Sequence, residues 1–183
     1  MENIDSCIKV YSGILFDPLN PNIEDIKIED IAHALSQICR FNGHCNEFYS
    51  VAQHSVLVSI LSEDHRAGLL HDATEAYLLD IPSPVKKNIN GYKEIENNLL
   101  TILSKKFNFT YPLPIDVKQA DNTMLMLEMQ TFFTNGKIFP LTKIKAVQPK
   151  EAENIFLNVF NLLDKHPSEL NKIFETFKKQ MFK

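Results

Sequence analysis

The chain has 183 residues, of which 44% are hydrophobic, and a formal net charge of -4. This length and hydrophobic content predict one domain spanning residues 1–183, with a core large enough to fold without disulfides. The acidic balance disfavours a nucleic-acid polymer as the main partner, because such binding needs clustered Lys and Arg.

The cysteines and the hydropathy pattern bear on the compartment. The three cysteines, Cys7, Cys39 and Cys45, are odd in number and contain no C-x-x-C pair, which disfavours a disulfide framework. Together with His44, the last two also fail to match a usual zinc-finger spacing. The N-terminus is polar, and no apolar run approaches a membrane span. We therefore expect a cytoplasmic protein without a membrane partner.

The first third of the chain predicts an extended segment and then helices. Residues 10–16 are rich in β-prone types and precede a turn-rich loop, which predicts one short extended element. From Ile28 onward apolar residues recur every three or four positions, which predicts a helix. Ser50 and Gln53 have the spacing of a capping box, so a second helix should begin there and run to about Leu61.

Helical periodicity continues to the end of the chain. Ser62 or Asp64 can cap a helix that runs to about Leu78, before two prolines. Four later stretches have the same period: 92–107, 115–133, 149–165 and 168–182. A turn is predicted at residues 135–136, an Asn-Gly pair. The sequence therefore predicts an all-α fold, a single compact helical bundle with its core over about residues 28–165.

Four polar side chains interrupt the apolar faces of these helices. His54 and Asp121 each lie on an apolar stripe, and His71 and Asp72 are adjacent in the middle of the predicted helix that ends near residue 78. An unpaired buried carboxylate is costly, so such groups pair or bind a metal ion. A single inward histidine is more often an ordinary core residue. The four groups together favour a metal site.

Imidazole and carboxylate ligands suit a divalent transition metal. The residue types fit Co, Mn, Zn, Fe or Ni, with Mg as a candidate second ion. Ligands that project from the helices of a bundle leave coordination positions for solvent and substrate, which favours a catalytic site over a closed structural one.

The order of these residues resembles that of a known family. Residues 50–55, 69–75 and 118–121 contain His54, the His71-Asp72 pair and Asp121 in the order of the H…HD…D signature of HD-domain phosphohydrolases. The run His71-Asp72-Ala73-Thr74-Glu75, followed by Asp80-Ile81-Pro82-Ser83-Pro84-Val85-Lys86, resembles the bacterial 5'-deoxynucleotidase and the small phage dATP or dNTP triphosphohydrolases. The resemblance covers about residues 31–133. It implies an HD-type bundle with these four residues as metal ligands.

The resemblance also implies a catalytic carboxylate at Glu75. This residue follows His71 by about one helical turn, so its side chain can reach the space beside the metal. The alternative is an ordinary solvated glutamate, which is the default on most helices.

Five further residues are candidate substrate contacts. Arg40 resembles the arginine with which the deoxynucleotidase binds phosphate, and Phe41 stands where that enzyme has Trp, which leaves sugar selectivity open. Asp80 matches the carboxylate that the resembling family places near the sugar hydroxyl of a deoxynucleotide. Lys86 and His44 are candidate phosphate or leaving-group contacts.

The implied function is metal-dependent hydrolysis of a nucleotide, preferably a deoxynucleotide, in a homo-oligomer. The sequence does not decide between a 5'-deoxynucleotidase and a dNTP triphosphohydrolase. Two alternatives remain open: a metal-binding regulatory HD module without turnover, and a phosphohydrolase of (p)ppGpp or cyclic nucleotides.

Overall fold

The computed structural model describes residues 6–133, 143–165 and 170–182. Helices predominate in these residues, which confirms the predicted helical class. The helices are α1 Ile28–Gln37, α2 Val51–Leu61, α3 His65–Leu70, α4 Glu75–Leu78, α5 Ser83–Lys86, α6 Tyr92–Phe107, α7 Ile115–Phe132, α8 Pro149–Lys165 and α9 Leu170–Met181. Among the described residues, no helix combines the length and apolar character that a bilayer span requires.

A small β-hairpin precedes the helices. Strands β1 (Ile8–Lys9) and β2 (Leu15–Phe16) pair antiparallel, so the extended element predicted over residues 10–16 contains β2, and the second strand was not predicted. Gly13, at a φ of 87°, allows the chain to reverse between the strands. Phe16 is buried and stacks on Tyr77 with ring centroids 4.3 Å apart, which anchors the hairpin to α4.

Helix α2 is the centre of the bundle. It begins as predicted, because Oγ of Ser50 accepts a hydrogen bond of 3.1 Å from the backbone N–H of Gln53. The helix is buried on all sides from Val51 to Ile60, and it contacts α1, α3, α7 and α8. Its last residue, Leu61, is 41% exposed.

The helix predicted over residues 64–78 is interrupted at the histidine-aspartate pair. Helix α3 ends at Leu70 and α4 begins at Glu75, so the expectation that His71 lies in mid-helix is wrong. The interruption coincides with a side-chain hydrogen bond of 2.8 Å from Nδ1 of His71 to the carbonyl of Gly68. In a continuous α-helix that carbonyl would accept from the backbone N–H of residue 72. The chain between the helices therefore forms a turn.

Helices α3 and α2 pack closely at Gly68. A Cβ atom on this residue would lie 2.7 Å from Oγ of Ser62 and 2.9 Å from Cα of Ser59. The absence of a side chain at position 68 therefore permits the close approach that holds the turn after α3 against α2.

The later helices follow the predicted pattern. Helices α6, α7 and α8 match the predicted boundaries within one residue. Helix α7 buries the stripe Val117, Ala120, Met124 and Phe132, and it packs on α2 and α3. The predicted turn at residues 135–136 and the predicted start of the last helix at residue 168 lie outside the described residues.

Candidate metal centre and adjoining cavities

The structure brings His54, His71, Asp72 and Asp121 together from three segments of the chain. His54 lies on α2, His71 and Asp72 lie in the turn between α3 and α4, and Asp121 lies on α7. The Nε2 atoms of His54 and His71 are 3.3 Å apart. Nε2 of His71 is 3.2 Å from Oδ2 of Asp72, and Nε2 of His54 is 3.1 Å from Oδ1 of Asp121.

These separations suit a single metal ion. His54, His71 and Asp72 each offer a ligand atom, and these atoms all lie within 4.8 Å of one another. Asp121 extends the group, since its Oδ1 lies 3.9 Å from Nε2 of His71. Ligand bonds of about 2.0–2.2 Å place neighbouring donor atoms roughly 3–3.5 Å apart around one cation. The described residues therefore include a group that could hold a metal.

The hydrogen bonds of the two imidazoles fix which nitrogen can bind a metal. Nδ1 of His71 faces the carbonyl of Gly68, which can only accept, so this nitrogen carries the hydrogen. Nδ1 of His54 faces a carboxylate oxygen of Glu128 at 2.6 Å and is likewise the donor. In the neutral rings both Nε2 atoms then present lone pairs to each other, an arrangement that a cation between them would stabilise.

The electrostatics of the group also favour positive charge. Burial and the charge of Arg40 lower the pKa of His54, but Glu128 and Asp121 outweigh them and raise it to about 9. Burial would raise the pKa of Asp72, yet His71, His54 and Arg40 hold it well below its ordinary value. These pKa shifts favour an ionised Asp72 beside a positively charged His54.

Glu128 supports the group and is not among the site residues predicted from the sequence. It is fully buried and accepts hydrogen bonds from Tyr49 (2.9 Å), from Nε of Arg40 (3.1 Å) and from His54. Burial would raise its pKa, but His54 and Arg40 outweigh that effect and lower the pKa to about 2. The signal was present: like Asp121, Glu128 is a charged residue at the helical spacing of the apolar stripe of α7.

A cavity of about 390 Å³ opens beside the group. Its lining includes both aspartates of the group and most of the predicted catalytic and substrate residues: Arg40, Phe41, Asp72, Glu75, Asp80, Lys86 and Asp121. Five residues predicted from different parts of the sequence, at positions 40, 41, 75, 80 and 86, are thus brought to one cavity. His44 is exposed and lies outside the lining of the described cavities.

Glu75 is the buried carboxyl group of this cavity. It is 5% exposed, and its Oε2 has no hydrogen-bond partner among the described residues. Burial raises its pKa well above the ordinary value, and the charges of Asp72 and Asp80 raise it further. The alternative of a solvated surface glutamate therefore does not describe this residue.

The two positively charged side chains that line this cavity, Arg40 and Lys86, both contact carboxylates. Arg40 lies 3.0 Å from Oε2 of Glu128 and 3.7 Å from Oδ2 of Asp72. Nζ of Lys86 lies 2.7 Å from Glu96 and 3.9 Å from Oε1 of Glu75. These contacts hold the two side chains at the cavity instead of leaving them to move freely in solvent.

A second cavity, of about 310 Å³, also borders the group. His71, Asp72 and Asp121 line it, together with Tyr111 and Lys118. The two aspartates line both cavities. The carboxylates of the group are therefore shared between the two cavities.

The two remaining described histidines have structural partners. His33 stacks on Tyr11 with ring centroids 3.7 Å apart and lies 3.3 Å from Glu153. Nδ1 of His65 donates to the carbonyl of Ser59 at 2.8 Å. Neither was assigned a role from the sequence.

Fold and site together define a mostly helical protein with a histidine-aspartate group that could hold a metal ion. No family model matches the sequence. The chain is 38% identical over 179 residues to the uncharacterized protein YfdR of Escherichia coli K12, across 91% of this chain and 98% of that protein. It is 40% identical over 124 residues to an uncharacterized protein of Rhodobacter capsulatus, across 61% of this chain and 63% of that one. The chain belongs to the family of YfdR.

Proposed function

We propose that the protein is an HD-type, metal-dependent phosphohydrolase that acts on nucleotides, with deoxynucleotides preferred. The observation that carries this proposal is the convergence of two imidazole Nε2 atoms and two aspartates at the edge of a cavity that also contains a buried carboxyl group. A purely structural metal would need only a closed set of protein ligands. The open cavity instead favours chemistry at the site.

His54, His71, Asp72 and Asp121 would hold the ion. When bound, a divalent metal supplies a Lewis acid for a phosphoryl oxygen and lowers the pKa of water. The fit rests on the donor set: two Nε2 atoms whose rings are oriented by Glu128 and by the carbonyl of Gly68, with an aspartate beside each.

Glu75 is the proposed acid-base residue. Its unpartnered Oε2 can hold a proton, and its raised pKa brings proton exchange closer to neutral pH than for an ordinary glutamate. Lys86, 3.9 Å from Oε1, limits the rise because its charge favours the carboxylate. Glu75 thus has both the position and the protonation chemistry of a group that transfers a proton to or from substrate.

Arg40 and Lys86 are the proposed phosphate contacts. Their charges would offset the negative charge that spreads over the phosphoryl oxygens in the transition state. Both now contact carboxylates, so phosphate would compete with Asp72 for Arg40 and with Glu75 for Lys86. Asp80 would accept a hydrogen bond from a sugar hydroxyl, and Phe41 supplies an apolar surface to the same cavity.

The test is product release from a substrate panel. Metal-free protein is reconstituted with Co, Mn, Mg or Zn and mixed with dNMPs, dNTPs and their ribonucleotide counterparts, and orthophosphate and triphosphate are measured. We expect turnover with at least one transition metal and a loss of about 100-fold or more in Glu75→Gln. Glu94→Gln, an exposed glutamate on α6, is the matched control.

Two outcomes would contradict the proposal. Metal binding without release from any nucleotide would favour the regulatory alternative. Turnover that is unchanged in Glu75→Gln would remove the assigned acid-base residue. Release of triphosphate would select the triphosphohydrolase branch, and release of orthophosphate from a monophosphate would select the nucleotidase branch.

A further inference from the structure

Two cysteines flank the loop that carries Arg40, and their side chains lie together. The sulfur atoms of Cys39 and Cys45 are 3.6 Å apart, and both side chains are partly accessible. The sulfur of Cys45 also lies 3.7 Å from the carbonyl oxygen of Arg40. The odd number of cysteines disfavours a disulfide framework, yet the fold places these two thiols in contact.

The loop between the cysteines is held at its base and constrained at its tip. The N–H of Arg40 donates to the carbonyl of Tyr49 at 2.9 Å, and the isolated bridge between Cys39 and Ser50 continues this pairing. At the tip, Phe41 has a φ of 56° and Asn42 a φ of 51°, a left-handed conformation that residues other than glycine adopt only at a cost. The loop is therefore a defined structure that carries a cavity residue.

We propose that Cys39 and Cys45 form a reversible disulfide in the presence of a low-molecular-weight disulfide oxidant, and that this bond rigidifies the loop that presents Arg40. The proposal does not rest on the assigned hydrolase activity. It concerns a modification site next to the cavity, and its chemistry can be tested without any substrate.

The reaction is thiol-disulfide exchange. One cysteine thiolate attacks the disulfide of the oxidant. One half of the oxidant leaves as a thiol, and the other half remains on the protein as a mixed disulfide. The second cysteine then attacks the protein sulfur and releases the second thiol. The protein loses two hydrogens and two electrons, and the oxidant is reduced to two thiols. The two sulfurs must approach by about 1.5 Å to reach a disulfide bond length.

The movement should fall on Cys45. Cys39 is fixed by the backbone bridge to Ser50, whereas Cys45 lies in the loop. Oxidation also removes the thiol hydrogen from the contact between Cys45 and the Arg40 carbonyl. A covalent closure of residues 39–45 leaves the loop fewer open conformations, so its amides should exchange more slowly.

Tryptic mapping identifies the bond directly. The cleavage site after Arg40 lies between the two cysteines, so Cys39 falls in peptide 28–40, Cys45 in peptide 41–66 and Cys7 in peptide 1–9. The protein is treated with oxidised glutathione, its remaining thiols are alkylated, and it is denatured and digested. We expect peptides 28–40 and 41–66 to be joined, and to separate on addition of dithiothreitol. Cys7→Ser is the matched control and should give the same result.

Amide hydrogen exchange tests the effect on the loop. We expect exchange over residues 41–46 to be several-fold slower in the oxidised protein, with no such change in Cys39→Ser or Cys45→Ser. A stable glutathione adduct, a link to Cys7 or unreacted thiols would overturn the pairing. A disulfide that leaves exchange in the loop unchanged would overturn the rigidification. Because neither readout needs turnover, failure here is distinguishable from failure of the hydrolase proposal.

Discussion

Nδ1 of His54 donates a hydrogen bond of 2.6 Å to Oε1 of Glu128 in the interior of the protein. This contact turns Nε2 of the imidazole toward His71 and Asp121. A carboxylate in this position increases the basicity of the imidazole and fixes its orientation. Glu128 is therefore a positioning residue for the proposed metal centre, although it lies behind the group.

Glu128→Gln should weaken metal binding. The neutral amide keeps an oxygen for His54 but loses the charge that favours a cation at Nε2, so affinity for cobalt should fall by about 10- to 100-fold. Calorimetric titration of the metal-free protein with cobalt measures this affinity. Glu94→Gln should bind cobalt like the wild type. Equal affinities in all three proteins would show that Glu128 has only a structural role.

The lowered pKa of Glu128 predicts that the stability difference between the wild type and Glu128→Gln depends on pH. The pKa of Glu128 in the folded, metal-free protein is lowered to about 2 from an ordinary value of 4.5. A lowered carboxyl pKa stabilises the fold above the unfolded-state pKa, and this contribution is lost as the pH falls toward the folded-state value. The stability difference between wild type and Glu128→Gln should therefore shrink between pH 4.5 and 2. Urea unfolding across this range measures it, and a constant difference would contradict the assignment.

Metal addition should raise the thermal midpoint of the wild type. A ligand that binds only the folded state at 100 times its Kd contributes about 2.7 kcal/mol. For a protein of this size that corresponds to roughly 5–10 °C. Asp121 is partly exposed, so Asp121→Asn should fold normally yet lose most of the shift. Asp116→Asn, on the same helix but away from the cavities, should retain it.

Gly68→Ala should destabilise the protein. In an exposed helix this change would gain up to about 1 kcal/mol from helix propensity. Here the added Cβ would meet backbone at Ser59, which cannot move aside as a flexible side chain can, so a loss of about 1–3 kcal/mol is expected. Denaturant unfolding measures the change. Removing the hydroxyl in Gly68→Ala/Ser62→Ala should recover only part of it, and full recovery would place the conflict at Ser62 alone.

Most of the helical framework could be predicted from the sequence. Apolar residues at helical spacing located α6, α7 and α8, and the Ser50 hydroxyl marked the start of α2. Those signals are local, because periodicity and capping depend on neighbours within a few residues. The hairpin was only partly recognised, since strands of two residues are too short to show alternation.

The turn at His71 could not be predicted in the same way. Periodicity runs through it without a break, and the interruption coincides with a hydrogen bond from the His71 side chain to the Gly68 carbonyl, which helical spacing does not reveal. The polar residues on apolar faces did predict that His54, His71, Asp72 and Asp121 would meet. Glu128 carries the same signal, but the sequence alone does not show that it serves His54 instead of the cavity.

Because α2 is buried on all sides, the parts of the site differ in how often their backbone opens to solvent. Amides in such a helix exchange with solvent mainly when the whole protein unfolds, whereas those of a surface loop exchange through local opening. His54 belongs to the first class, and Phe41 and Asn42 belong to the second. The candidate metal ligand on α2 thus lies in a segment as durable as the native state itself, while the loop that lines the cavity can open many times within the lifetime of that state.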